Sequence, residues 1–349
     1  MITEVLPINE ESLKKARDII LSGGVVAFPT ETVYGLGANA LDAKAVKKIF
    51  KAKGRPSDNP LIVHVADKRA IEPLVAEISL NAKKVIERFM PGPITVVMPK
   101  NDVVPSEVTA GGKTVGVRIP ASETARRFLS AVGVPIAAPS ANTSSRPSPT
   151  SAKHVFEDLN GKIPLILDGG ECSGGVESTV VSINEKEATL LRPGLVTLED
   201  LSQVLKKVTV HPSVLADGKV DSAASPGMKY KHYSPAARVI IINDDVFVAK
   251  QIYAYLKSMG KKTVLLWQED NRIQNEEYYC FFAHNDKALA AKNLFALLRK
   301  ADSEGFDVVL AQGLDVSGEG LSVMNRLLRA AAFTVIDKNT TKEEINRVI

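Results

Sequence analysis

Through roughly the first 200 residues, short apolar runs of strand length alternate with amphipathic stretches of helix length, an order that a layered α/β fold accepts and few other architectures do. VVAFP (25–29), PLIVHV (60–65), ITVVMP (94–99), TVGVRIP (114–120), PIAAPS (135–140), PLILDGG (164–170), STVVSI (178–183) and ATLLRPG (188–194) read as strands. DAKAVKKIFKAK (42–53), SLNAKKVIERF (79–89), SETARRFLSAV (122–132), SAKHVFEDL (151–159) and TLEDLSQVLKKV (197–208) read as helices. Around 94–120 and 164–192 strands follow one another with no helix between, so a mixed twisted sheet is expected. From His211 to Pro235 the apolar period stops in a stretch rich in Pro, Gly and Ser, which reads as a linker. Beyond it RVIIIN, TVLLWQ, YYCFFAH and VVLAQGL are separated or followed by helical stretches near 246–258, 286–300 and 321–333. That order predicts a small doubly wound, Rossmann-like parallel α/β domain. The expected organisation is a first domain over 1–210, a linker over 211–235 and a second domain over 236–349, which suits 349 residues at ~150 per domain.

Charge and cysteine content narrow the chemistry. Lys plus Arg number 44 and Asp plus Glu 40, a net charge of +4, so an anionic ligand must be met by a local cluster instead of a global field. The two cysteines, Cys172 and Cys280, stand alone and far apart, which offers neither a disulfide framework nor a thiolate zinc site and fits a reducing cytoplasm. The N-terminus lacks the basic and apolar regions of a signal peptide. The longest stretch free of charged residues, Phe128 to Ser145, contains Pro135 and Pro139 and many hydroxyls, so no spanning helix is expected there. GGKT at 111–114 imitates the end of a phosphate-binding loop, but Glu107 stands where the first glycine belongs and a strand follows where a helix should.

The polar residues cluster at the ends of the strands. In FPTETVYGLGANA (28–40), Thr30 and Thr32 flank a carboxylate, and Gly35 and Gly37 follow; the glycines either serve a turn or admit a ligand. Gly54 and Pro56 break the helix behind Lys53 and place Lys53 and Arg55 on a loop suited to phosphate oxygens. His64 lies on an otherwise apolar strand face, as a structural group or a catalyst. Arg118 alternates onto the same side of its strand as Thr114 and Gly116, and a charge there needs a partner, from the protein or from a ligand. Ser140, Asn142 and Ser148 belong to a hydroxyl-rich loop running from a strand into a helix, Glu177 and Ser178 open a strand after four glycines, and Arg192 ends another. Neither a nucleophile with an adjacent base nor a carboxylate cluster able to hold metal unaided is visible. The residues describe an anion-binding cleft that positions ligands and stabilises charge.

Taken in order, FPTETVYGLGANA, Lys-Gly-Arg at 53–55 with SDNPLIVHV, GVRIP, Ser-Ala-Asn at 140–142, GGVESTVV and LLRPG resemble the YrdC-type threonylcarbamoyl-AMP synthases. SPGMKYKHYSP (225–235) and the doubly wound remainder look like the longer, two-domain branch of that family. The resemblance implies a YrdC-like first domain and a nucleotidyltransferase. It would convert L-threonine, bicarbonate and ATP, with Mg2+ on the phosphates, to threonylcarbamoyl-AMP and pyrophosphate, for threonylcarbamoyladenosine in tRNA. It implies a threonine pocket of Thr32, His64, Arg118, Ala138 and Ser178, and Lys53 and Arg55 in catalysis. Arg55, Asn59, Thr114, Ser140, Asn142, Ser148 and Arg192 would hold the nucleotide, with Tyr230 and Tyr233 as a lid from the linker. The partners implied are a tRNA-transfer machinery and tRNA itself, with no membrane. Two rivals remain: an RNA-binding module using the basic cleft, and a carbamoyltransferase of the hydrogenase-maturation type, which expects cysteine clusters that this chain lacks.

Overall fold

The computed structural model describes residues 1–215, 233–243, 246–271, 276–337, 339–341, 343 and 347. Two compact units are present, Met1–Ser144 with Ser148–Tyr230, and Ser145–Pro147 with Lys231–Ile349. The first unit runs β1 (Glu4–Pro7), α1 (Glu10–Leu21), β2 (Val26–Phe28), β3 (Gly35–Asn39), α2 (Ala43–Lys53), β4 (Ile62–His64), α3 (Leu80–Phe89), β5 (Ile94–Pro99) and α4 (Ser106–Thr109). It continues through β6 (Thr114–Arg118), α5 (Glu123–Val132), β7 (Ile136–Ala138), α6 (Ala152–Leu159), β8 (Leu165–Asp168), β9 (Thr179–Ile183), β10 (Ala188–Arg192), α7 (Leu198–Val204) and β11 (Val208–Val210).

These strands form one mixed sheet in the order β1-β8-β2-β3-β7-β4-β6-β5-β9-β10-β11. The mixture comes from the connections: β4 and β6 pair in parallel, while β7 runs antiparallel to both β3 and β4. One face packs on α1 and α5, where Ile20, Phe28, Phe128, Ile136 and Leu165 form a buried cluster. Helix ends follow local chemistry. Asp42 caps α2 through the Lys44 and Ala45 N–H groups, and Gly54, in the left-handed region at φ +60°, closes it.

Three segments differ from the sequence reading. GLGAN is a strand, not a turn, because a Cβ on Gly37 would come 2.6 Å from Ile136 Cγ2 and 3.0 Å from the Phe28 ring; that glycine admits packing, not a ligand. The helix expected over 197–208 stops at Val204, and Val208–Val210 pairs in parallel with β10. The linker's first residues belong to the first unit: the His211 N–H donates to Leu190 O at 2.9 Å, and a short 3-10 turn covers Pro212–Val214.

The second unit contains β12 (Arg238–Ile242), α8 (Val246–Ser258), β13 (Thr263–Gln268), β14 (Tyr278–Phe282), α9 (Lys287–Ser303), β15 (Val308–Gln312), α10 (Gly320–Ala330) and β16 (Val335–Ile336). Its sheet, in the order β14-β13-β15-β12-β16, is parallel throughout, as the βαβ order requires. Ile240, Ile242, Trp267 and Leu310 fill its core. Among the described residues no helix is long and apolar enough to cross a membrane.

Candidate functional site

Two strand ends meet in the middle of the large sheet, beside an antiparallel third strand. The parallel pair β4–β6 sets His64 opposite Arg118, and the antiparallel pair β4–β7 sets Ile62 opposite Ala138. A guanidinium on a central strand is expensive to bury unless paired, and Arg118 is 3% exposed. Its partners come from the loop after β2: Nη2 donates to Glu31 Oε1 at 2.6 Å and Nη1 to Thr32 Oγ1 at 2.9 Å. Nε is buried without a partner. The Thr30 hydroxyl accepts the Thr32 and Val33 N–H groups and so shapes the turn that presents Thr32. Thr30 is thus structural.

His64 is buried among these groups, edge-on to Phe28, with Nδ1 3.2 Å from the Ile62 carbonyl oxygen. Burial, reinforced by the Arg118 charge, pushes its pKa down to about 3, so it is a neutral imidazole at physiological pH. The folded value lies below the ordinary one, so the unfolded chain takes up the proton first. Stability is then lost as pH falls below about 6.5, by at most ~1.4 kcal/mol per unit. Between pH 7 and 5 the wild type should lose about 2 kcal/mol more than His64→Asn, read from urea midpoints. Equal losses would show that His64 is accessible to protons.

The loop after β8 ties this corner to the next. Gly174 and Gly175 N–H groups donate to the Glu31 and Thr32 carbonyls, at 2.8 and 3.1 Å. A Cβ on Gly174 would lie 2.5 Å from Leu195 Cδ1, which accounts for that glycine. The loop delivers Ser178, whose hydroxyl is 2.8 Å from Thr95 Oγ1 and accepts from Arg192 Nη2 at 3.2 Å, while Arg192 Nε donates to Ser178 O at 3.0 Å. Buried Ser148 donates to the Glu177 carboxylate. Thr95 was not among the expected site residues; a threonine inside a strand is ordinary β sequence, and only the folded sheet puts it against Ser178.

Lys53 corrects the sequence reading. It is the last residue of α2, not part of a loop, and is 3% exposed; Nζ donates to the Ser140 and Asn142 carbonyls, both at 2.6 Å. The ammonium secures the Ser140–Asn142 loop, which is also joined to the start of β3 by a Gly35–Ser140 bridge and by the Ala141 N–H to Tyr34 O. Arg55 does lie beyond the helix; its Nη2 donates to Asn59 O at 3.1 Å. Asn59 is fully buried with both side-chain amide atoms unpartnered, an arrangement that calls for a ligand or water. Thr114 is exposed at the start of β6. Tyr233 belongs to the second unit, where its buried ring packs on Phe295 at 5.1 Å; Tyr230 lies outside the described residues. Among the described residues no group of three or more His, Cys, Asp or Glu could hold a metal ion.

The chain is similar to known proteins in sequence and in fold. Residues 18–194 match the Sua5/YciO/YrdC family model, described as telomere recombination, and residues 196–332 match the model for the threonylcarbamoyl-AMP synthase C-terminal domain. The chain is 47% identical to the threonylcarbamoyl-AMP synthase of Pyrococcus abyssi, over 94% of this chain and 96% of that one. It is 41% identical to the Bacillus subtilis enzyme of the same name, over 96% and 97%. The crystal structure of P. abyssi Sua5 complexed with L-threonine superposes with a TM-score of 0.90 at 46% identity, covering 96% of this chain and 98% of that one. With both family domains matched and relatives aligned nearly end to end, the chain belongs to the threonylcarbamoyl-AMP synthase family of enzymes.

Proposed function

We propose that the chain forms L-threonylcarbamoyl-AMP and pyrophosphate from L-threonine, bicarbonate and ATP, a nucleotidyl transfer that supplies threonylcarbamoyladenosine synthesis in tRNA. The observation that carries this reading is the buried Arg118, whose Nε is unpartnered at the corner shared with Thr32 and His64, a setting suited to an amino-acid carboxylate. It agrees with the threonine complex of P. abyssi Sua5.

In this reading Thr32, His64, Arg118, Ala138 and Ser178 bind threonine. The amine attacks bicarbonate, water departs, and a carbamate oxygen attacks the α-phosphorus and expels pyrophosphate. Arg55, Asn59, Thr114, Ser140, Asn142, Ser148 and Arg192 hold the nucleotide. Mg2+ carried by the ATP phosphates would neutralise their charge, and the open Asn59 amide would meet it through Oδ1 or a phosphate oxygen through Nδ2. No covalent enzyme intermediate is required, and burial pushes the Cys172 thiol up to about 12, far from a thiolate nucleophile. Catalysis then rests on positioning and on charge stabilisation. The product would pass to a tRNA-transfer machinery.

The test is pyrophosphate release from MgATP and bicarbonate with and without L-threonine. Threonine-dependent release is expected. No release, in a protein that binds RNA with steep salt dependence, would favour a nucleic-acid module instead.

A further inference from the structure

Glu31 is assigned no part by the reading above, yet its carboxylate makes the shortest contact to Arg118. Oε1 receives Nη2 at 2.6 Å and Oε2 receives the Ser122 N–H at 3.3 Å, just before α5, while the Glu31 carbonyl takes the Gly174 N–H. The carboxylate is held at both oxygens, and the backbone behind it is tied at the carbonyl. A guanidinium offers two forks: the end formed by Nη1 and Nη2, and the edge formed by Nε with the second N–H of Nη2. Had Glu31 bound the edge as a bidentate salt bridge, Nε would have a partner. It has none, and Thr32 takes Nη1. Glu31 and Thr32 thus take one contact each on Nη2 and Nη1 and leave Nε open.

We propose that Glu31 is a positioning residue of the amino-acid subsite: with Thr32 it anchors the outer end of Arg118, so that the Nε edge faces the substrate carboxylate as a preformed two-donor fork. This deepens the threonine reading and rests on it. In the empty site Glu31 also balances the buried charge of Arg118, which holds the guanidinium in place before the substrate arrives. Burial raises the Glu31 carboxyl, but Arg118 and the Ala121 N–H outweigh it and keep it below the usual carboxylate range, so it stays an acceptor through neutral pH.

The test measures the threonine Kd by calorimetry and both KM values by pyrophosphate release, on full-length wild type, Glu31→Ala and Glu31→Gln. Glu31→Ala should weaken threonine at least tenfold in Kd and KM, with the MgATP KM within twofold. Glu31→Gln, which keeps an oxygen for Nη2, should recover most of that loss. An unchanged threonine Kd in Glu31→Ala, or a tightened one in either variant, would overturn the proposal, the latter by making Glu31 a competitor of the substrate. So would a loss shared equally by threonine and MgATP, which marks a structural role. If the wild type binds no threonine, the functional reading itself falls and takes the proposal with it.

Discussion

Arg118→Ala is expected to lower kcat/KM for L-threonine by about 10³-fold while the MgATP KM changes only a few-fold. Charge-assisted hydrogen bonds to a guanidinium contribute about 1.5–3 kcal/mol each, so losing a two-bond fork removes about 4 kcal/mol, which is about three decades in rate. The substitution also strips Glu31 of its counter-ion. The carboxyl stays buried, so its pKa must rise, and stability that a depressed carboxyl contributes above pH ~4.5 is lost at neutral pH. Arg118→Lys separates these effects, because an ammonium keeps a positive charge but cannot offer a planar fork. It should retain more stability than Ala and little more threonine affinity. The measurements are pyrophosphate release against threonine concentration and the urea midpoint. Loss spread evenly over both substrates would disconnect Arg118 from the amino acid.

The position of Arg118 was legible in the sequence because it follows from local rules. Alternation along TVGVRIP places a guanidinium beside a glycine on a strand, and a buried charge must have a partner. The partner was not legible: Glu31 lies 87 positions away and meets Arg118 only when the loop after β2 closes over β6. The threonines flanking that carboxylate were visible, but nothing local separates the structural hydroxyl of Thr30 from the one on Thr32 that meets the guanidinium. Fold class came from patterning alone, since strands that follow one another closely without a helix favour antiparallel pairing, as β9 and β10 show, and the βαβ order of the C-terminal region favours parallel pairing, which β13 and β14 adopt without an α-helix between them among the described residues. GLGAN failed the same test because its apolar period is written in glycines, chosen for the Phe28 ring that lies against them.

Lys53→Met is expected to lower the unfolding free energy by about 3 kcal/mol and to reduce turnover more than 100-fold. The sequence suggested a loop lysine offered to phosphates. In the fold, α2 persists through Lys53 and stops at Gly54, and the side chain points into protein, where Nζ supplies donors to two backbone carbonyls of the Ser140–Asn142 loop. Methionine fills similar volume but donates nothing, leaving buried carbonyls unsatisfied at about 1–3 kcal/mol each, partly offset because a buried cation is gone. The loop then loses one of its fixed points, and in this reading Ser140 and Asn142 hold the nucleotide, where displacement by ~1 Å can cost two decades in rate. A helix-end ammonium that secures a loop and one that serves phosphates make different predictions. Structural anchoring couples the two losses, so urea midpoint and MgATP kcat/KM should fall together. If turnover collapses while the urea midpoint holds, the ammonium must leave the carbonyls for the phosphates when ATP binds, and the loop is held by its contacts with Tyr34 and Gly35.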